Sequence, residues 1–470
     1  MSITAQTGVV TGGTPAVGRA HWIDDWDPED TQFWDRDGSK VARRNLIFSI
    51  FTEHIGFSIW TMWSTLVLFL GPKYGLTPAQ KFTMTSVAAG VGSFLRLPYT
   101  FAIAKFGGRN WTIISALLLL IPSIWTAIIL EPGIKYSTLI WLTIAAGFGG
   151  GNFASSMANI NNFYPARLKG WALGLNAAGG NLGVATIQLV GLLVLATAGV
   201  SHPRMVVGIY IPFIVIAALC AHLFMDNITN ATNEKRAMRE VTRDPHTWIM
   251  SFLYIGTFGS FIGFGFAFGQ VLLVQFPDHF THLVAGKPAP DPIKAAHYTY
   301  LGPLIGSLAR PIGGFLADRV GGALVTFWNF AAMAGFAVTV LVASQQHSLG
   351  LFVVGFIGLF VTSGLGNGST YKMIPAIFKA KADTATKDVD EATAALEYKK
   401  ARRMSGALIG IAGAIGAFGG VLVNVACRQS FLHTKTGDSA YISFLCFYGA
   451  CVVVTWFCYL RPSAKRLQGV

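Results

Sequence analysis

Twelve long apolar runs, each of roughly 20 residues, constrain this chain more than any other feature. At 1.5 Å per residue a helix of that length crosses ~30 Å of hydrocarbon. Backbone groups in lipid must be satisfied within their own segment, so these runs predict helices rather than strands. Their approximate limits are 45–70, 82–104, 111–130, 138–162, 171–197, 207–225, 247–275, 297–317, 323–343, 349–377, 404–425 and 440–460. The sequence therefore predicts an all-α membrane protein with twelve transmembrane helices.

The composition excludes the soluble classes. Hydrophobic residues make up 53% of the chain and charged residues 12%, whereas soluble domains carry about 25% charged residues. A net charge of +13 would suggest a nucleic-acid partner in a soluble protein, but in a membrane protein it indicates orientation. The five cysteines lie in or beside apolar runs without CxxC spacing. We therefore predict no metal site, no cofactor and no nucleic-acid binding.

Lys and Arg set the orientation. The first ~43 residues are polar and lack the basic-then-apolar pattern of a cleaved leader. With both termini in the cytoplasm, cytoplasmic segments carry 24 Lys and Arg and external loops carry 8. This bias follows the positive-inside rule and predicts a multi-pass inner-membrane protein with cytoplasmic termini. The three remaining basic residues, Arg96, Arg310 and Lys372, lie inside predicted spans.

The polar segment 226–246 divides the spans into two sets of six. The predicted organisation is a cytoplasmic tail (1–44), a six-helix bundle (45–225), a cytoplasmic linker (226–246), a second six-helix bundle (247–460) and a C-terminal tail (461–470). The segment 378–403, rich in Ala, Lys, Asp and Glu, could form a short cytoplasmic surface helix.

The two halves also resemble each other in sequence. Ser93, Arg96, Gly107 and Gly108 recur 214 residues later as Ser307, Arg310, Gly321 and Gly322. Gly147, Gly149 and Gly151 recur at an offset of 217, as Gly364, Gly366 and Gly368. A third set, Gly170, Gly174, Gly180 and Gly183, recurs at an offset of 236 as Gly406, Gly410, Gly416 and Gly419. Coincidence in a chain with 53 glycines is the alternative, but three ordered sets favour two pseudo-symmetric halves with a site between them.

Arg96 and Arg310 lie deep in spans 2 and 8, where an arginine costs about 2.5–3.5 kcal/mol on insertion scales. Each is nine residues, ~13 Å, from the nearest basic residue at the membrane edge. Salt bridges to buried carboxylates are the alternative, but Glu53 is the one acid deep in a span. One carboxylate cannot neutralise two arginines, so a mobile anion is the expected counter-charge. The flat guanidinium donor fork suits a planar oxyanion.

Three other ionisable residues allow two interpretations each. Lys372 either snorkels to the cytoplasmic surface or makes a secondary anion contact. Glu53 and His54 could carry a proton. Otherwise Glu53 is an ion-pair partner and His54 a hydrogen-bonded core residue.

The repeated glycines predict close helix packing, and smooth contacts of this kind would let the halves rock. The aromatic residues Phe153, Tyr254 and Phe258 are, from the residues alone, ordinary core candidates.

Several stretches closely resemble the nitrate/nitrite porter family (NarK type) of the major facilitator superfamily. They are GFGGGNFASSMANI at 147–160, ALGLN at 172–176 with GNLG at 180–183, TFGSFIGF at 257–264, GLGNGST at 364–370, 406–420, and the tail motif WDPED with FW. The resemblance implies transport of nitrate and nitrite through a site between the halves. It implies that Arg96 and Arg310 bind the anion, that Phe153 and Phe258 sandwich it, and that Asn176 and Tyr254 add polar contacts.

The segment 313–322 resembles the superfamily's cytoplasmic loop motif. It contains Asp318 and Arg319, where the first half has Ala104 and Lys105. Antiport members of the family lack titratable acids in the core, so Glu53 and His54 favour a proton-linked member without settling the matter.

The sequence thus predicts a carrier of nitrate and nitrite, functional as a monomer, that works by alternating access. Nitrate/nitrite exchange and proton-coupled uptake both stay open, as does another small monovalent anion. A non-transporting sensor is the rival from another class, but the sequence contains no signalling domain. No metal-ligand cluster or nucleophile–base pair suggests an enzyme.

Overall fold

The computed structural model describes residues 17–18, 21–229, 235–284, 287–387, 389–461 and 470. The α-helices are α1 (Thr31–Phe33), α2 (Ser39–Phe69), α3 (Pro78–Phe106), α4 (Gly108–Leu118), α5 (Leu120–Ile129), α6 (Tyr136–Ala146), α7 (Phe148–Phe163), α8 (Ala166–Thr197), α9 (Pro203–Phe224), α10 (Lys235–Val241), α11 (Pro245–Tyr254), α12 (Ser260–Gln275), α13 (Pro292–Thr299), α14 (Leu301–Val320), α15 (Gly322–Gln345), α16 (Leu349–Ala385), α17 (Glu391–His433) and α18 (Asp438–Thr455). Short π-helical turns lie at Trp34–Gly38, Ile255–Gly259 and Trp456–Leu460, and a 3₁₀ turn at Pro72–Tyr74. The strands are β1 (Val17–Gly18), β2 (Trp22–Ile23), β3 (Asn227–Ile228), β4 (Thr281–Val284) and β5 (Lys287–Pro290). They form a small β1-β2-β3 sheet and a β4-β5 hairpin.

The structure confirms the all-helical fold. Within the described residues, nine helical segments are long and apolar enough to cross a membrane. The other three predicted spans coincide with α2, α6–α7 and α13–α14, which are helical but more polar. Most of α2 between residues 52 and 69 is buried among other helices, where Glu53 and several Ser and Thr side chains avoid lipid. These three crossings stay predictions.

Some helix boundaries differ from the sequence expectation. Helix α2 begins at Ser39 rather than near residue 45. Span 4 is interrupted at Gly147 and span 8 at Tyr300. The segment 378–403 is not a separate surface helix, because α16 continues to Ala385 and α17 already begins at Glu391, capped by the Asp390 side chain.

Two inter-half seams join α2–α9 to α11–α18: α3 packs against α17, and α8 packs against α14. The internal repeat relates one seam to the other. It relates span 2 (α3) to span 8 (α14) and span 5 (α8) to span 11 (α17). The Cβ of an alanine at Gly150 would lie 2.5 Å from the Cα of Gly92, and one at Gly364 would clash with the backbone of Gly306. These equivalent contacts relate spans 4 and 10 by 214 residues, so the offset of 217 expected from sequence is wrong at this contact.

We call the end of the bundle that carries residues 21–38 and the α16–α17 turn the tail side. At the opposite end the halves are joined by side-chain hydrogen bonds. The Nε2 atom of Gln188 donates to the carbonyl of Gly265 at 2.8 Å. The Oγ1 atom of Thr85 donates to the Oδ1 atom of Asn424 at 2.8 Å. Gln188 and Asn424 are themselves related by the 236-residue offset, so the two halves use the same repeat position in the closure, although with different partners.

Candidate functional site

Arg96 lies on α3 and is fully buried. Its Nη1 atom donates to the carbonyl of Gly413 on α17 at 3.0 Å, across the seam between the halves. Its Nε and Nη2 atoms have no hydrogen-bond partner among the residues that the structure describes. Two donors of a buried cation are thus left for another acceptor, because an unsatisfied buried donor is costly.

Aromatic rings surround the Arg96 guanidinium. Its Cζ atom lies 4.4 Å from the ring centroid of Phe153, 4.8 Å from Phe258, 5.2 Å from Trp60 and 5.9 Å from Phe57. Cation–π attraction of this kind is worth roughly 0.5–2 kcal/mol per contact. The rings partly offset the burial of the charge but accept no conventional hydrogen bond from its free N–H groups.

Arg310 lies on α14 and is 3% exposed. Its Nη2 atom donates to the hydroxyl of Tyr254 at 3.3 Å, and its Nη1 atom has no partner within the described part of the chain. Its Cζ atom lies 5.6 Å from the ring of Tyr371 and 6.0 Å from that of Phe153. The Phe153 ring is thus within 6.0 Å of both guanidinium groups, one from each half.

The rings of Phe153 and Phe258 face each other, with centroids 5.7 Å apart and planes at 27°. Phe258 lies in the π-helical turn Ile255–Gly259, a distortion that often occurs at functional sites. A planar anion between two parallel rings needs a separation of roughly 7 Å, twice a van der Waals contact of about 3.5 Å. The rings must therefore part by about 1 Å to sandwich an anion.

Glu53 lies on α2 and is 1% exposed. Its Oε2 atom accepts from the Oγ of Ser156 and, at 2.6 Å, from the Nδ2 of Asn176. No Lys, Arg or His side chain among the described residues lies within ion-pair distance of Glu53. With Glu53 ionised, the two arginines leave the buried site with a net charge of +1, which one monovalent anion neutralises; protonation of Glu53 raises that charge to +2.

Asn176, expected from the resemblance to contact the anion, uses its amide nitrogen on Glu53 and Ser156 in this structure. Its Oδ1 atom has no partner among the described residues. His54, the neighbour of Glu53, makes a separate contact, with its Nδ1 atom 3.1 Å from the carbonyl of Gly179. The roles proposed for Asn176 and His54 stay predictions.

The repeated glycines divide into two groups. An alanine at Gly180 would clash with the Glu53 carboxylate, and one at Gly183 with the His54 carbonyl. In the second half, the Cβ of an alanine at Gly416 would lie 2.5 Å from the Tyr254 ring, and one at Gly419 3.0 Å from the Ile255 carbonyl. By contrast, a Cβ at Gly174 or Gly406 meets nothing within 4 Å, and those at Gly170 and Gly410 make looser contacts.

These contacts reveal a correspondence between residues with different side chains. Gly180 and Gly416 are repeat partners, and they pack on Glu53 and Tyr254, respectively. Gly183 and Gly419 pack on the next carbonyl along each helix, that of His54 and that of Ile255. The carboxylate of Glu53 therefore occupies in the first half the position that the Tyr254 phenol occupies in the second.

A cavity of about 490 Å³ extends from Arg96 toward the tail side. Arg96, Phe153, Tyr371 and Gly413 line its inner end, whereas Lys169, Lys399, Arg402 and Arg403 line its outer part. Gly406 and Gly410 also line it, which explains why a Cβ at Gly406 meets no neighbour. With hydrogen bonds between the halves at the opposite end, this arrangement is a tail-open conformation.

Lys372 makes an ion pair on the tail side. Its Nζ atom lies 2.6 Å from the Oδ1 atom of Asp318 on α14. The Cβ of an alanine at Gly170 on α8 would lie 3.3 Å from the same Nζ atom, so Lys372 also reaches the other half. Arg319 places its Cζ atom 4.2 Å from the ring of Phe315. A secondary anion contact by Lys372 stays a prediction, and in this conformation its partner is Asp318.

Sequence reasoning missed Trp60, Phe57, Tyr371, Ser156 and the Gly413 carbonyl. Helical spacing could have found the first two, because residues 53, 57 and 60 share one face of α2. Tyr371 directly precedes Lys372, yet no sequence signal places it beside Arg310.

The known proteins that resemble this chain are membrane transporters. A sequence profile described as Major Facilitator Superfamily matches residues 46–424. The chain is 35% identical to the "Nitrate/nitrite transporter NarU" of Salmonella typhimurium over 467 residues, covering 94% of this chain and 97% of that protein. It is 33% identical to the "Probable nitrate/nitrite antiporter NarK2" of Thermus thermophilus, covering 95% and 98%.

Solved structures share the fold. A D-xylose–proton symporter superposes with a TM-score of 0.65 at 12% identity, covering 92% of this chain and 99% of that one. The nucleoside transporter NupG superposes with a TM-score of 0.59 at 12% identity, covering 88% and 99%. At these identities the likeness shows the architecture alone.

Proposed function

The chain belongs to the major facilitator superfamily, and from this premise we propose that it carries nitrate and nitrite across the inner membrane by alternating access. One observation carries the proposal: Arg96 and Arg310, one from each half, are buried with N–H groups that have no partner among the described residues. The names of the full-length relatives support nitrate and nitrite as the anions. Both termini then lie in the cytoplasm, and a monomer contains the complete site.

The charges of the site suggest how the anion permits the conformational change. Without anion, the two guanidinium groups repel each other and disfavour closure of the halves around the site. One monovalent anion offers acceptors to the free donors of Arg96 and Arg310 at once, which lowers the net charge of the site by one and joins the halves. Charge-assisted hydrogen bonds of this type are about twice as strong as neutral ones. The loaded carrier can then close on the tail side and open on the opposite side.

Two coupling modes are compatible with this mechanism. In exchange, the return step needs a second anion, nitrite for nitrate, to mask the arginines. In proton-coupled uptake, Glu53 binds and releases a proton within the Ser156–Asn176 cluster and changes the net charge that the arginines present. Glu53 supports the second mode, because an ionisable group inside a membrane protein is a functional candidate. The antiporter name of one relative supports the first.

Nitrate uptake into proteoliposomes under two separate drives tests the proposal. One preparation receives an inward proton gradient and contains no anion, and the other contains nitrite and has no gradient. Proton-driven uptake that is lost in Glu53→Gln would establish symport, whereas uptake that needs internal nitrite would establish exchange. Glu131→Gln is the matched control, because Glu131 is an exposed acid paired with Arg204 outside the site. Absence of nitrate uptake under both drives would refute the proposed function.

A further inference from the structure

The two seams between the halves differ on the tail side. By the 214-residue offset, Asp318 and Lys372 correspond to Ala104 and Ala158. At the α8–α14 seam, Asp318 and Lys372 form an ion pair over Gly170. At the α3–α17 seam the corresponding alanines are too short to meet, and both line the cavity that leads to Arg96. The cavity therefore opens along the seam that lacks the ion pair.

The mouth of this cavity is strongly basic. Of the described residues that line it, five are basic and none is acidic; the basic residues are Arg96, Lys169, Lys399, Arg402 and Arg403. The carbonyl that binds Arg96 belongs to Gly413, which lies eleven positions after Arg402 on α17. Along the helix this is a distance of ~16 Å. The mouth cations are therefore a separate group and not part of the Arg96 site.

A carboxylate of the chain itself already approaches this group. Glu29, from the segment before α1, places its Oε1 atom 3.4 Å from the Nη1 atom of Arg402. Both side chains are about half exposed, so the pair contributes at most about 1 kcal/mol. Lys169 also interacts electrostatically with Glu29 and Arg402. A small anion from solution could thus replace a weakly held carboxylate at this position.

We propose that the mouth of the cavity is a second, outer binding station for monovalent anions, formed by Lys169, Lys399 and Arg402, from which the anion reaches Arg96 along the α3–α17 seam. Clustered cations at the rim of a cleft raise the local concentration of an anionic substrate. The station binds weakly, because it is solvated and screened, and Glu29 competes for it. This inference rests on the proposed transport of nitrate and nitrite.

The test compares nitrate transport from each face, in membrane vesicles of opposite orientation, for the wild type and Lys399→Gln/Arg402→Gln. At low ionic strength, about 0.02 M, the double variant should raise KM on the tail side about three- to tenfold, with kcat within twofold. KM on the opposite face should not change. An impermeant salt at about 0.3 M should remove most of the difference, because it screens the mouth charges.

Lys400→Gln/Arg239→Gln is the matched control, because it removes two exposed basic residues that do not line the cavity. Glu29→Gln provides an independent test in the opposite direction: it should lower KM on the tail side by releasing Arg402. Wild-type KM in Lys399→Gln/Arg402→Gln, or an equal rise in the control, would overturn the station alone. Absence of flux in the wild type would instead overturn the proposed function, and the station with it.

Discussion

Arg96 and Arg310 are equivalent by sequence, 214 residues apart, but their surroundings differ. Arg96 binds a carbonyl of the opposite half and is enclosed by four aromatic rings. Arg310 binds Tyr254 of its own half. The tail-side cavity reaches Arg96, and Arg310 is not among the described residues that line it. A duplicated scaffold can thus give one arginine the role of linking the halves and the other that of completing the site behind Phe153.

Removing the charge of each arginine in turn tests this difference most strongly. Arg96→Ala and Arg310→Ala should each weaken nitrate binding about 30- to 4,000-fold, because losing one partner of a buried charged hydrogen bond costs roughly 2–5 kcal/mol. Arg96→Lys should lower the nitrate affinity almost as much, since a lysine keeps the charge but not the donor fork. Nitrate affinity of the purified protein gives the measurement. Wild-type affinity in either alanine variant would refute the two-arginine site.

Overpacking the paired glycines tests whether Glu53 and Tyr254 are counterparts. Gly180→Ala pushes on the Glu53 carboxylate, and Gly416→Ala pushes on the Tyr254 ring. Such overpacking costs about 1–3 kcal/mol, so each should reduce nitrate transport roughly tenfold. Gly208→Ala and Gly335→Ala are the controls, because a Cβ at either position meets nothing within 4 Å. Wild-type transport in both Gly180→Ala and Gly416→Ala would contradict the correspondence.

Removing one hydroxyl tests the Arg310 side alone. Tyr254→Phe deletes the acceptor of the 3.3 Å hydrogen bond from Arg310 and leaves Arg96 untouched. A hydrogen bond to a charged group contributes about 1.5–3 kcal/mol, and this long one should lie at the lower end. The expected result is a nitrate KM about tenfold higher, with a lower thermal stability of the anion-free protein, because the lost bond is already formed without anion. An unchanged KM would show that Tyr254 does not position Arg310.

The smallest effects should separate two phenylalanines, Phe57 and Phe258, each of which lies four residues after the corresponding residue Glu53 or Tyr254. Phe258 lies 4.8 Å from Arg96 and stacks on Phe153, whereas Phe57 lies 5.9 Å away. A cation–π contact contributes roughly 0.5–2 kcal/mol and weakens as the cation moves away from the ring. Phe258→Leu should therefore raise the nitrate KM about fivefold and Phe57→Leu at most about twofold. The reverse order would show that the Phe153–Phe258 pair does not flank the anion.

The arginines could be found from sequence because an isolated charge in an apolar run is costly whatever its neighbours. Other features depend on three-dimensional neighbours. The sequence places Asn176 on a helix but does not show that its amide nitrogen faces Glu53. Likewise, Glu53 and Tyr254 share no chemistry, so their correspondence appears only through the glycines that pack on them.

In the fold, too, some features could be predicted from the sequence and others depend on three-dimensional neighbours. Hydrophobic length predicted the helices, but not the interruption at Gly147 or the helical extensions on both sides of the 386–390 turn. Both depend on local backbone contacts rather than on mean hydropathy. The pairing of Lys372 with Asp318 was also inaccessible, because the two residues are 54 positions apart and on different helices.

The closure at the end opposite the tail has a thermodynamic consequence. Gln188–Gly265 and Thr85–Asn424 are neutral hydrogen bonds, which together contribute only about 1–3 kcal/mol. A difference of that size corresponds to a population ratio of about 5–150 between two conformations. One bound anion can reverse such a ratio, and the loss of one amide roughly halves the free energy that maintains it. The resting population is thus adjustable at Gln188 or Asn424, far from the arginines, without any change in the binding site.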